Sequence, residues 1–209
     1  MPIKYENIVP WGRSFEEYVK MFALTTEDLE RSILGCGDGP ASFNTQMKKQ
    51  GKIVTSIDPI YSFSVQQIQS RIEAESENVL QQTKQNQDKF IWTKIKSVED
   101  LGRLRLTAMK EFLTDYEKGR SEGRYLSAEL PNLPFKENRF ELALCSHLLF
   151  LYTDNLSLDF HLSSVQELCR VSREVRIFPL ADVNAVLSPY VVKVKELLTK
   201  QGNNVEEVQ

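Results

Sequence analysis

Three glycines at alternate positions after a short apolar run, Ile33-Leu34-Gly35-Cys36-Gly37-Asp38-Gly39, constrain this chain more than any other feature. A strand that runs into such glycines can turn tightly and let a ligand approach its backbone with no Cβ in the way. Pro40 follows, and proline is favoured in the first turn of a helix, where its missing N–H has no partner to lose. The pattern predicts strand, glycine turn, helix. A second apolar run, Ile53 to Ile57, predicts the next strand, and Asp58 ends it nineteen residues after Gly39. That is the place at which a nucleoside-binding βαβ unit carries its ribose-binding carboxylate. Two neighbouring motifs are disfavoured: Pro40 takes the third glycine's place in a dinucleotide fingerprint, and no G-x-x-x-x-G-K-[ST] phosphate loop is present.

A third segment follows in order. Arg124 to Phe135 ends in Leu133-Pro134-Phe135, and the run from Asn138 to Tyr152 opens with Phe140-Glu141-Leu142. Together with Leu34 to Gly39 and Ser56-Ile57-Asp58-Pro59-Ile60-Tyr61, these segments span residues 31–152. In that order they resemble the class I S-adenosylmethionine-dependent methyltransferases. The resemblance implies one α/β domain over residues 1–209: a Rossmann-like, mostly parallel sheet with helices on both faces. It also implies S-adenosylmethionine as the cofactor and methyl transfer as the reaction. A non-catalytic binding module that keeps the fold without transfer is the alternative, and a nicotinamide-dependent oxidoreductase is a weaker one.

The resemblance assigns roles residue by residue. Gly35, Cys36, Gly37 and Gly39 hold the backbone against the methionine part of the cofactor. Asp58 accepts hydrogen bonds from the ribose hydroxyls, Pro59 and Ile60 line the adenine, and Ser127, Ala128 and Glu129 border it from the next strand. Cys145, Ser146, His147 and Leu148 face the sulfonium. His147 is the candidate general base, with cofactor or structural hydrogen bonding as its other reading; His161 is read as structural. Arg13 is a candidate partner for the cofactor carboxylate or, equally, a surface charge beside a helix start, and Trp11 is read as an anchor of the arm, with packing on the cofactor as its other reading. Tyr61 and Tyr152 are candidates for the acceptor pocket or for the core. Two positions depart from the family pattern: Ile33 stands where an acidic residue is usual, and so does Ser127.

The rest of the chain bounds these readings. With 209 residues, 41% hydrophobic and 26% charged, it suits one domain with a substantial core. A net charge of −3 gives no broad basic face for nucleic acid, which favours a small-molecule acceptor. No apolar run approaches the roughly 20 residues that span a bilayer, and Met1 to Asn7 carries no signal-peptide core. The three cysteines, at 36, 145 and 169, lack metal-pair spacing; no metal site is expected, and a reducing cytoplasm fits.

Residues 1–30 read as a helical arm, with Ser14-Phe15-Glu16-Glu17 as a capping box and a second capping signal at Thr26. The stretch from Tyr61 to Gly123 is too long for a simple crossover, so residues 62–122 are expected to form a helical insert or cap over the cleft, or else a pair of helices that merely extends the core. Within it, Gln81 to Lys89 reads as a polar loop, Phe90-Ile91-Trp92 as an apolar run and Ser97 as a helix cap. Ser163 to Val171 predicts a helix, Val175 to Pro179 a fifth strand and Ser188 to Lys200 a last helix. The family closes with two further strands. Here Asn204 to Gln209 has room for at most one, so the full seven-stranded sheet is not expected.

Overall fold

The computed structural model describes residue 3, residues 8–89 and residues 92–208. Phe90 and Ile91, and most of the stretch from Met1 to Asn7, lie outside the described residues. Five strands, β1 (Ile33–Cys36), β2 (Val54–Ile57), β3 (Tyr125–Leu126), β4 (Leu142–Ser146) and β5 (Val175–Phe178), form one sheet. Their order is β3-β2-β1-β4-β5, and every pairing is parallel. This is a Rossmann-like α/β arrangement. The chain order reverses between β1 and β4, and a crevice opens at the carboxyl ends of strands flanking such a switch point.

Period-two alternation explains how the sheet buries both faces. Leu34, Cys36, Ala143 and Cys145 face the side covered by α5 (Leu158–Val171) and α6 (Tyr190–Lys200). Ile33, Leu142 and Leu144 face the other side, against Tyr18 and Phe22 of the arm and Phe43 and Met47 of α2 (Phe43–Lys49). With helices on both faces, β1 and β4 are buried throughout and read as continuous apolar runs.

Among the described residues of the arm the α-helix is α1 (Phe15–Met21), whose Ser14–Glu17 capping box forms as expected. The second capping signal lies one residue earlier than its sequence reading. Thr25 and Asp28 exchange reciprocal bonds, Thr25 Oγ1 accepting from the Asp28 N–H and Asp28 Oδ2 from the Thr25 N–H, and they nucleate only a short 3₁₀ turn before β1. Pro40 stands ahead of α2 rather than in its first turn, because Ser42 is the residue that flanks the helix start.

Between β2 and β3 lie two long helices, α3 (Val65–Gln85) and α4 (Val98–Ser121), capped by Ser64 and Ser97. The first part of the polar loop expected over Gln81–Lys89, through Gln85, is instead the last turn of α3. Thr83 is buried there and its hydroxyl donates to the Val79 carbonyl at 2.8 Å, so the glutamines merely occupy the outer face. Tyr61, Phe112, Tyr116 and Tyr125 cluster where α4 meets β3. Among the described residues no strand follows α6, and no helix is long and apolar enough to cross a membrane.

A buried polar network ties α2, β2 and α4 together. Asn44 Nδ2 donates to the Val54 carbonyl at 3.0 Å, to Ser56 Oγ at 3.0 Å and to the Arg124 carbonyl at 3.2 Å. Arg124 Nη1 donates to Asn44 Oδ1 at 2.6 Å, and its two terminal nitrogens grip Asp115 at 2.8 and 2.9 Å. Removing one member of a buried ion pair leaves the other uncompensated. Arg124→Met should therefore lower the unfolding free energy by about 3 kcal/mol in urea denaturation, with no change in strand content by circular dichroism.

Candidate functional site

The carboxyl ends of β1, β2 and β4 open into a cavity of about 980 Å³. Its floor is the turn from Cys36 to Gly39, and its walls include Asp58 to Ile60 after β2 and Ser146 to Leu148 after β4. The arm covers one side with Trp11 and Arg13, and the helices between β2 and β3 cover another with Val79, Leu101 and Arg105. A cavity of this size lies at the top of the roughly 300–1,000 Å³ range of small-molecule sites.

Two buried carboxylates organise one end. Asp38 lies under the turn, where Oδ1 accepts the Tyr18 hydroxyl at 2.7 Å and Oδ2 accepts the Ser56 hydroxyl at 2.6 Å. Gly35 has to be glycine because of this packing: a Cβ there would stand 1.9 Å from Asp38 Oδ2. Asp58 ends β2, and its Oδ2 accepts the Gly39 N–H at 2.9 Å while Oδ1 accepts the Ile60 N–H at 2.9 Å. Tyr61 locks the same turn from below by donating its hydroxyl to the Gly39 carbonyl at 2.7 Å. Desolvation pushes both carboxyls up to about 6, against the hydrogen bonds they accept.

Cations and a neutral imidazole occupy the other end. Arg13 Nη1 donates to the Trp11 carbonyl. Desolvation and the charge of Arg105 push the Arg13 guanidinium down to about 9, which still leaves it protonated at neutral pH. Arg105 pairs with Glu17. His147 holds a left-handed backbone, φ +52°, and donates its N–H to the Phe178 carbonyl of β5 at 2.7 Å. Its Nδ1 pairs with Ser146 Oγ at 2.9 Å. Burial, then the charges of Arg13 and Arg105, push the imidazole well below its usual range, so it is neutral at pH 7.

Most residues singled out in the sequence meet at this cavity: Cys36, Gly37, Gly39 and Asp58, with Pro59, Ile60, Ala128 and Glu129, and with Arg13, Trp11, Ser146, His147 and Tyr152. Gly35 and Ser127 do not line it. Gly35 is inside β1 with Asp38 packed against it, and Ser127 points outward, exposed, past the end of β3. Tyr61 belongs to the core beneath the turn, and Cys145 is fully buried in the sheet. His161 is also in the core, where the Phe150 N–H donates to Nε2 at 3.0 Å and Nδ1 meets the Ser157 carbonyl at 2.8 Å. Arg105 and the apolar residues of α3 and α4 were not marked as site residues. The arm docks closely on the turn: a Cβ at Gly12 would meet the Pro40 carbonyl oxygen at 2.1 Å.

Among the described residues no three His, Cys, Asp or Glu side chains come together as metal ligands. The chain is similar to the uncharacterized protein MJ0045 of Methanocaldococcus jannaschii, with 31% identity over 193 residues that cover 92% of this chain and 86% of that one. No family model matches the chain, and no solved structure matches it.

The raised Asp58 carboxyl has a stability consequence. From the ordinary carboxyl value up to about 6, the folded chain holds a proton that the unfolded chain has released. Asp58 therefore contributes stability below that window, and the contribution is lost as pH rises through about 6. Because the carboxyl opens onto the cavity, the effect is only about 1–2 kcal/mol. Denaturant titrations of wild type and Asp58→Asn at pH 4 and pH 7 should show the wild type losing that much relative to the variant.

Proposed function

The chain belongs to the family of protein MJ0045, and from its own site we propose that it is an S-adenosylmethionine-dependent methyltransferase acting on a small-molecule acceptor. The observation that carries the reading is the Asp58 carboxylate at the end of β2, beside the glycine turn at the lip of the cavity. An ionised carboxylate offers about four acceptor positions. The Gly39 and Ile60 N–H groups take one on each oxygen, leaving one on each for the two hydroxyls of a ribose. Such bonds to a charged acceptor are the stronger kind. Gly37 and Gly39 add no side chains of their own to the floor. Arg13 supplies a cation for the carboxylate of the methionyl end, and Pro59, Ile60 and Ala128 give a partly apolar wall for the adenine.

When bound, the cofactor supplies a methyl group activated on a sulfonium. What this chain adds is placement and exclusion of water. The arm and the α3–α4 pair cover the cavity, and holding an acceptor in line with its target removes much of the entropic barrier. His147, neutral and tied to Ser146, can accept a hydrogen bond or a proton from an acceptor near β4. Its depressed basicity makes it a weak base, so positioning carries more of the rate than proton removal.

A non-catalytic cofactor-binding module is the second reading. Ile33, buried in the core where relatives of this fold often carry an acid, favours it. Release of S-adenosylhomocysteine in step with methylation of an acceptor separates the two.

Calorimetric titration tests the cofactor. Wild type should bind S-adenosylmethionine and S-adenosylhomocysteine, and Asp58→Ala should weaken both by about 2–4 kcal/mol, the worth of two charge-assisted hydrogen bonds. Failure of wild type to bind either would sink the proposal. Binding should tighten as pH rises through about 6, where Asp58 ionises. Gly39→Ala adds a methyl 3.9 Å from Asp58 Oδ2 at φ +52°. It should cost about 1 kcal/mol of stability and a larger share of cofactor affinity, measured by melting and calorimetry on the same variant.

A further inference from the structure

Arg105 is the most unusual side chain on the cavity wall. It is 6% exposed, it lines the cavity from α4, and its Nε has no hydrogen-bond partner. A guanidinium presents five donors, and a buried donor left without an acceptor is costly. One terminal nitrogen is taken by Glu17, whose carboxylate also accepts the Ser14 N–H at 2.9 Å in the α1 capping box. The Nε is sealed beneath the wall, while among the described residues the second terminal nitrogen bonds no carboxylate and is not sealed, so the guanidinium lines the cavity with one terminal nitrogen uncommitted.

Charge counting at this end points the same way. Arg13 and Arg105 are two cations, and among the described residues Glu17 is the one carboxylate paired with either; the Arg13 guanidinium bonds the Trp11 carbonyl. Among the described residues the cavity's other carboxylates, Asp38, Asp58, Glu75 and Glu129, form an ion pair with neither arginine, and Asp38 and Asp58 are held by their own donors. The zwitterionic amino-acid end of the cofactor brings no net charge, and its sulfonium adds a positive one. Arg13, Arg105 and Glu17 sum to one positive charge and the sulfonium makes two, so this end of the loaded cavity has charge to spare for an anionic second ligand. Arg105 also has apolar company: Leu101, one helical turn before it, and Val79 on α3 line the same cavity.

We propose that Arg105 seats an anionic group of the methyl acceptor, which is a small molecule carrying a carboxylate or phosphate on an apolar body. The proposal rests on the cavity being the methyl-donor site, and two sources of the anion have to be separated: the acceptor and the cofactor's own carboxylate. Phenylacetate, phenyl phosphate and neutral phenylacetamide serve as probes. Each is titrated calorimetrically into the full chain, with and without saturating S-adenosylhomocysteine.

The two anions should bind in the presence of S-adenosylhomocysteine, with phenylacetamide at least about tenfold weaker. Arg105→Met should abolish that preference, Arg105→Lys should retain it, and neither should change S-adenosylhomocysteine affinity. Glu17→Gln is the decisive companion, because a glutamine still completes the capping box while the competing charge is gone. It should tighten anion binding, whereas an ion pair with a purely structural role would leave binding unmoved. If Arg105→Met does not fold, the lysine and Glu17 variants still decide.

Loss of S-adenosylhomocysteine affinity in Arg105→Met, with probes competing against it, would assign the anion seat to the cofactor and overturn the proposal. Equal binding of charged and neutral probes, or binding of neither anion, would overturn it too. Arg105-dependent anion binding by a wild type that ignores S-adenosylhomocysteine would uphold the anion seat and remove only the methyl-donor reading.

Discussion

The buried carboxylate of Asp38 is the contact on which the rest of this structure depends. It sits beneath the glycine turn and takes hydroxyl donors from two directions, Tyr18 of the arm and Ser56 of β2. A carboxylate removed from water is tolerated only where donors replace the water, so arm, turn and strand must assemble together. Ser56 in turn accepts from Asn44, which reaches Arg124 and, through it, Asp115 of α4. One polar chain thus runs from the arm, under the site, to the helices that cover it. The glycine at position 35, which looks like an accommodation to a ligand above, answers instead to this carboxylate below.

That framework produces a cavity with two electrostatic ends. Around β2, Asp58 meets backbone N–H groups and keeps free acceptor capacity, which suits hydroxyls. Near β4 and α4, Arg13 and Arg105 surround a neutral His147, which suits an anion. The separation follows from topology. The strand ends supply the short-range donors and acceptors, while the arm and α4 reach in with long guanidinium side chains. A ligand with hydroxyls at one end and a carboxylate at the other has a defined orientation here before any shape fit is considered.

Much of this was legible because the signals were local. The Ser14 and Ser97 caps, the glycine turn and the position of Asp58 each depend on residues within a few places of one another, and each formed where the pattern put it. The errors were also physical. Gln81 to Lys89 reads as loop by polarity, yet α3 runs on to Gln85 because Val79 and Thr83 are residues it needs to bury, with the glutamines outside. Thr25 rather than Thr26 pairs with Asp28 because the turn before β1 is only three residues of 3₁₀ helix. Ser127 misses the site because β3 pairs for only two residues, and past its end it is Ala128 and Glu129 that line the cavity while Ser127 is exposed.

By itself the sequence determined the parallel α/β scaffold, the turn after β1 and the carboxylate after β2, since periodicity, glycine and a strand-end aspartate act over short stretches of chain. Tertiary structure alone decided what covers the crevice and which charges face into it. Arg105 is one charged residue among several in a long helix, and nothing within a turn of it marks it as buried. Its role arises from α4 crossing the cavity to meet Glu17 of the arm, 88 positions away, and a contact over that separation leaves no local pattern to read.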